Sequence, residues 1–237
     1  MSHAFPLNAL RSLAHQERAK ASQRFFKTGR GQYGEGDVFI GVTMPEVRRL
    51  VREFRDVSLR EVDELVASPV HEARMLGLLI LVAQFESAKE YATRALLFGK
   101  YLAYAKIGRI NNWDLVDVTA PRVVGVFLFD RSRKILETMA RSASLWERRI
   151  AMISTLYFIQ QGEAKTTLRL AKMLLRDEHD LIHKAVGWML REVGKRCSVK
   201  ELEGYLDQHA TKMPRTMLRY AIERLPEVRR RGYMKSS

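Results

Sequence analysis

A chain of 237 residues with 46% hydrophobic residues can bury a continuous core, which excludes a disordered chain. Forty-one Lys and Arg against 27 Asp and Glu give a net charge of +14, distributed from Arg11 to Arg231, so a polyanionic partner is expected, nucleic acid ahead of an anionic membrane surface. The lone Cys197 excludes an intrachain disulfide and a thiolate metal cluster and fits a reducing cytoplasm.

The N-terminal "MSHAFPLNALRSLAHQERAK" lacks the charged-then-apolar order of a signal peptide. The longest apolar run, "MLGLLILVAQF", is about half of the ~20 residues a membrane span needs. Six prolines and long 3.6-residue patterns predict a chain that is mostly helix. A helix pattern through Arg24-Phe25-Phe26-Lys27 leads into "KTGRGQYGEGDVFIGV", which holds five of the fourteen glycines. Gly29-x-Gly31-x-x-Gly34 matches the dinucleotide fingerprint formally, but it follows a helix rather than a strand and no βαβ unit surrounds it. Two uses remain for the segment, a backbone that approaches a phosphate closely or a long connection between helices.

Helix starts follow. Thr43-Met-Pro-Glu46 and Ser58-Leu-Arg-Glu61 are capping boxes in sequence, and Ser68, Ser144 and Ser198 are further candidate caps. "HEARMLGLLIL", "WERRIAMISTL" and "IHKAVGWMLRE" align without gaps, so that Arg74, Arg149 and Ala185 coincide at offsets of 75 and then 36 residues. A period in the high thirties with two helices per unit predicts an all-α, HEAT-like α-solenoid with a concave basic groove. The expected organisation is one domain, 1–237, with N-terminal helices and the Gly-rich loop over 1–42, stacked repeats over 43–226 and a basic tail over 227–237. A non-repeating helical bundle is the alternative.

Thirty-six residues before Arg149 lies Trp113, in "NNWDLVD". Trp113 and Asp117 are i and i+4 and share a helix face. Read alone, they are a core tryptophan and an acid favoured by the helix dipole. The repeat phasing instead puts Trp113, Asp117, Arg149 and Trp188 on one strip. Asp and Arg are seldom fully buried, and arginine with two indoles suits a nucleic-acid groove.

The pieces "MPEVRRL", "WDLVD" with "APRVVGVFL" behind it, "LWERRIA" and "HKAVGWMLREVGK" resemble the AlkD family of bacterial DNA alkylation-repair glycosylases, which are HEAT-like solenoids. The likeness runs from about Arg24 to about Lys195. It implies that Asp117 is the catalytic aspartate, that Trp113 and Trp188 are aromatic walls of the lesion site, and that Arg149 contacts DNA, with the surrounding Arg148 and Lys184 on the backbone phosphates. The chain departs from some family members at Asn112, where they have a second tryptophan, at Phe25, where a tyrosine may stand, and in the glycine-rich insert.

The chemistry fits a carboxylate. Alkylation at purine N7 or N3 makes the base a cationic leaving group, so cleavage of the N-glycosidic bond asks for negative charge beside the developing oxocarbenium ion and a positioned water. Asp117 takes that role, and Asp114 is read as structural. Cation–π attraction to Trp113 and Trp188 would favour a charged lesion. The expected activity is a monofunctional, cofactor-free, metal-free glycosylase acting as a monomer on duplex DNA, in the bacterial cytosol, with no membrane and no obligate protein partner. The alternative is a non-catalytic HEAT-like protein that binds distorted or branched DNA; a third reading, a scaffold for a protein partner, leaves the charge and the mixed strip unexplained. His179 and His183 are either an i, i+4 metal pair or two helix-surface histidines, Lys195-Arg196 could lower the Cys197 pKa, and "EVRRRGYMK" is a phosphate contact or a solvated patch.

Overall fold

The computed structural model describes residues 6–235, so the first five residues and the last two of the basic tail lie outside the described residues. The chain is all-helical; the pairing of Val38 with Val70 is an isolated parallel bridge. Packing divides it into two compact units, Met1–Leu115 and Val116–Ser237, and the division falls inside helix α7. No helix among the described residues is long and apolar enough to cross a membrane.

The first unit holds α1 (Pro6–Arg11), α2 (Gln16–Phe25), α3 (Met44–Phe54), α4 (Leu59–Ala67), α5 (His71–Ser87), α6 (Tyr91–Lys106) and the first residues of α7 (Trp113–Ala120). Both capping boxes form. The Glu46 carboxylate accepts the Thr43 N–H and hydroxyl at 2.7 Å each, and Glu61 accepts the same two groups of Ser58 at 2.8 Å each. Ser68 is different from expectation: it ends α4, its hydroxyl accepting the Val70 N–H at 3.1 Å, and Val70 precedes α5. Pro69 explains the shift, because the residue before a proline is driven out of the helical region.

Helix α5 is buried on nearly every side from His71 to Val82, and α1, α3, α4 and α6 pack around it. Gly77 lets α4 come close, since a Cβ there would sit 2.9 Å from the Leu65 and Val66 side chains. The glycine-rich segment is a strap connecting α2 to α3. It is fastened to the start of α5 by the Glu72 carboxylate, which accepts the Ile40, Gly41 and Val42 N–H groups at 2.7–3.3 Å. Gly41 has φ +81°, a conformation that costs an L side chain strain. Elsewhere in the strap, the Gly31 N–H donates to the Glu35 carboxylate and the Gly29 N–H to the Gln32 side-chain oxygen.

The second unit continues α7 through a π-helical turn, Pro121–Gly125, into α8 (Val126–Leu128), followed by α9 (Lys134–Ala140), α10 (Leu145–Gln160), α11 (Lys165–Met173), α12 (Asp180–Arg196), α13 (Val199–His209), α14 (Arg215–Ile222) and α15 (Glu227–Lys235). Pro121 has no N–H to give the Asp117 carbonyl four residues back, which is the local cause of the π turn. One row of helices runs from the π turn to α10, α12 and α14, each packing on the next, while α9 packs on α10, α11 on α10 and α12, and α13 on α12. Gly125 and Gly187 make the row tight: a Cβ at 125 would lie 2.5 Å from the Ser154 carbonyl oxygen, and one at 187 would meet that of Met217. α10, α12 and α14 start at residues 145, 180 and 215, 35 apart each time. Ser144 and Ser198 cap α10 and α13 as expected. The basic tail is helical from Glu227 to Lys235, with Arg229 paired to Glu203 and Arg231 to Glu227.

Candidate active site

Helix α7 begins where the Asn112 side-chain oxygen accepts the Trp113 N–H at 2.9 Å, and it carries both Trp113 and, one turn on, Asp117. The Trp113 indole is held from several directions within the first unit. Its N–H donates to the Tyr33 hydroxyl at 3.3 Å, one face stacks on Phe26 at 5.3 Å, and Phe25 meets it edge-on at 5.9 Å. The stack continues from Phe26 to Phe39 at 4.8 Å and from Phe39 to the His71 imidazole at 4.4 Å. Such offset aromatic contacts are worth about 0.5–1.5 kcal/mol each beyond area burial. Phe25 remains 65% exposed.

Beneath this column lies a polar network. Buried Asp37 accepts from Arg74 at 2.6 Å, Asn111 at 2.8 Å and Asn112 at 3.2 Å, and His71 Nδ1 is 3.3 Å from it. His71 Nε2 lies 2.8 Å from Asp114, so the ring faces a carboxylate at each nitrogen. Burial pulls the His71 pKa down, but its hydrogen bonds to Asp114 and Asp37 outweigh this and raise it. Burial likewise pushes Asp37 up, and the His71 bond, the Arg74 charge and the two asparagines overcome that, holding it below the usual carboxylate range. Asn112 therefore serves as a donor to a buried carboxylate. Asp114, read as structural, is the anchor of His71.

In the second unit, Asp117 and Arg149 form a two-pronged ion pair, with Nε donating at 2.9 Å and Nη2 at 2.8 Å, while Nη1 donates to the Leu181 carbonyl. Arg149 is buried, and the Asp117 side chain retains 15% exposure. Arg149, expected on DNA, directs its three nitrogens onto Asp117 and the Leu181 carbonyl and so orients the Asp117 carboxylate. Arg148 is likewise turned inward, onto Asp177 at 2.6 Å and the Ser142 and Ala143 carbonyls. Lys184 pairs with Asp180 at 2.6 Å but keeps 41% of its side chain exposed, which leaves it able to meet a phosphate. Trp188 is half-buried on α12, one turn beyond Lys184.

The phasing that assembled the strip is off by one helical turn. α7 starts at residue 113 and α10 at residue 145, an interval of 32, so Asp117 rather than Trp113 corresponds to Arg149. A four-residue slip preserves the helix face, which is why the strip still contained the ion-paired residues.

The residues missed in the sequence are Asp37, His71, Arg74, Glu72 and the aromatic supports Phe26 and Tyr33. A signal was present: polar residues 71, 72 and 74 open a largely apolar helix, and two acids, Glu35 and Asp37, sit in the glycine-rich strap. The other candidates have local duties. The His179 ring accepts the Leu181 N–H as the cap of α12, and His183 bonds the Asp177 carbonyl. Cys197 reverses the expectation, since burial, with Glu201 and Glu163 nearby, raises its pKa.

Among solved structures, the fold is similar to a predicted DNA alkylation repair enzyme from Enterococcus faecalis, at 15% identity and a TM-score of 0.68, over 90% of this chain and 97% of that one. Curated proteins provide no match. The family model described as DNA alkylation repair enzyme matches residues 7–225, and the chain belongs to that family.

Proposed function

We propose that the protein is a monofunctional DNA glycosylase of AlkD type, hydrolysing the N-glycosidic bond of cationic N7- or N3-alkylated purines in duplex DNA and leaving an abasic site. The observation that carries the reading is the Asp117–Arg149 fork: a partly exposed carboxylate fixed in direction by a buried guanidinium. Family membership makes DNA the substrate. A preorganised negative group near the deoxyribose stabilises the positive charge that grows as the base departs, and needs no reorganisation at that moment. Because the alkylated base already leaves as a cation-derived neutral molecule, no strong general acid is required. Asp117 also aligns the attacking water, Arg149 is its positioning residue, and Trp113 and Trp188 present π faces to the cationic nucleotide, an attraction of roughly 0.5–2 kcal/mol. The helical rows are read as HEAT-like repeats, with Lys184 among the phosphate contacts.

The test is single-turnover release of 7-methylguanine from duplex DNA by the wild type and Asp117→Asn. Release that falls at least about 100-fold in the variant, with duplex binding retained, is expected. Tight binding to duplex or branched DNA without release by either protein would replace the glycosylase with a DNA-binding module.

A further inference from the structure

In the first unit, the glycine-rich strap does more than connect α2 to α3. The chain leaves α2 through Lys27, which has φ +52°, a left-handed conformation uncommon outside glycine. That turn folds the strap back over the end of α2. The Gly34 N–H donates to the Lys27 carbonyl at 3.2 Å, and a Cβ at Gly34 would lie 2.5 Å from the Phe26 carbonyl oxygen. The close approach at Gly34 brings its neighbour Tyr33 to Trp113, whose indole N–H donates to the Tyr33 hydroxyl at 3.3 Å. Further along the strap, Asp37 accepts the side-chain amides of Asn111 at 2.8 Å and Asn112 at 3.2 Å. Residues 111, 112 and 113 are thus each held by a strap side chain.

These bonds constrain different things. The Asp37 bonds fix the segment from which α7 starts. Stacking on Phe26 sets the plane of the indole, but two ring orientations related by a half-turn about the Cβ–Cγ bond share that plane. Only one of them puts Nε1 on the Tyr33 hydroxyl, so the hydrogen bond selects between them. An indole has a single donor and no acceptor. With that donor committed to Tyr33, Trp113 can meet a nucleotide only through its π system, which responds to positive charge. We infer that Tyr33 is a positioning residue for lesion recognition: by accepting the Trp113 N–H it fixes the indole in the orientation that selects a positively charged nucleotide. The inference rests on the reading of Trp113 as a wall of the lesion site; Trp113 touches the nucleotide, and Tyr33 acts through it. The hydroxyl is the operative group. Tyr33→Phe removes it and keeps the ring over which the Lys27 ammonium lies at 6.0 Å.

The test is a double-mutant cycle of Tyr33→Phe and Trp113→Phe in the full chain, read by fluorescence anisotropy. Two duplexes are compared, one with a cationic pyrrolidine abasic nucleotide and one with a neutral tetrahydrofuran nucleotide at the same place. The wild type should prefer the cationic duplex by about 3- to 30-fold. Tyr33→Phe should cut that preference at least threefold, yet change it less than twofold in the Trp113→Phe background, where no indole N–H remains to be held. The indole N–H resonance of Trp113, identified by its absence from Trp113→Phe, should exchange with solvent at least tenfold faster in Tyr33→Phe. No preference in the wild type, a preference or an exchange rate untouched by Tyr33→Phe, or an equal loss in both backgrounds would overturn the inference. Neither readout needs turnover. A Tyr33-dependent charge preference without release of 7-methylguanine removes only the glycosylase, whereas release with a preference indifferent to Tyr33 removes only the positioning role.

Discussion

Two arginine–aspartate pairs, one in each unit, look alike in sequence and differ in use. Arg74 and Arg149 fall together when their helices are aligned, and each reaches an aspartate far back in the chain, Asp37 and Asp117. In the first unit both partners are 3% exposed, and Asp37 also takes donors from Asn111, Asn112 and His71. In the second, Arg149 is 6% and Asp117 15% exposed. A carboxylate saturated by four side chains away from water is a joint that holds the strap, α5 and the start of α7 in register. Asp117, held by Arg149, keeps enough exposure to be reached by a ligand.

The comparison is broken most directly by exchanging each carboxylate for its amide. Asp117→Asn should lower single-turnover base release by about 100- to 1,000-fold, with a loss of stability smaller than that of Asp37→Asn. Asp37→Asn should do the reverse: release per folded molecule close to wild type, and a clear loss of unfolding free energy in urea. If Asp37→Asn abolished release in fully folded protein, the two pairs would belong to one machine and the distinction would fall.

Removing the arginines sharpens the same point. Arg74→Met leaves Asp37 buried beside an apolar chain, a change that typically costs about 3–5 kcal/mol. Arg149→Met should cost less, roughly 1–3 kcal/mol, because water can reach the carboxylate it abandons. Urea unfolding of both variants decides it: equal losses would make Asp117 as structural as Asp37.

His71 makes the first pair pH-dependent. Its folded pKa lies above the ordinary 6.5, so its contribution is fully present below pH 6.5 and is lost as pH rises through the folded value. Asp37, held low, acts oppositely, contributing above its ordinary 3.8 and losing that contribution as pH falls. Unfolding free energy measured from pH 6 to 9 should therefore decline in the wild type and stay flatter in His71→Gln. Parallel curves would show that the imidazole is not held charged between Asp114 and Asp37.

What the sequence disclosed follows from how local each signal is. Caps at Thr43, Ser58, Ser144 and Ser198 depend on residues three apart, and they form; Ser68 misleads only because Pro69 acts on it too. The helical repeat was visible because a 35-residue recurrence leaves apolar positions in phase. The Asp117–Arg149 link survived a one-turn phasing error for the same reason. The Asp37 network was invisible because it joins residues 37 apart to Arg74 and 74 and 75 apart to Asn111 and Asn112, through a strap without any periodicity. Composition suggested arginines for phosphates, yet Arg148 and Arg149 point inward, and no count of charges distinguishes a paired guanidinium from an available one.

The smallest expected difference lies in the caps. Ser58 at the start of α4 accepts the Glu61 N–H at 3.3 Å and gives its own N–H and hydroxyl to the Glu61 carboxylate, so two orphan backbone donors are satisfied reciprocally. Ser144 at the start of α10 accepts the Glu147 N–H at a longer 3.4 Å. Ser58→Ala should therefore cost about 1 kcal/mol and Ser144→Ala about half of that, read as urea-midpoint shifts at unchanged slope. The larger loss from the more exposed cap would show that reciprocity, rather than burial, sets a cap's worth. A larger loss at Ser144 would instead mean that the close-packed row through α10 amplifies a weak cap, and that stability in the second unit is more cooperative than in the first.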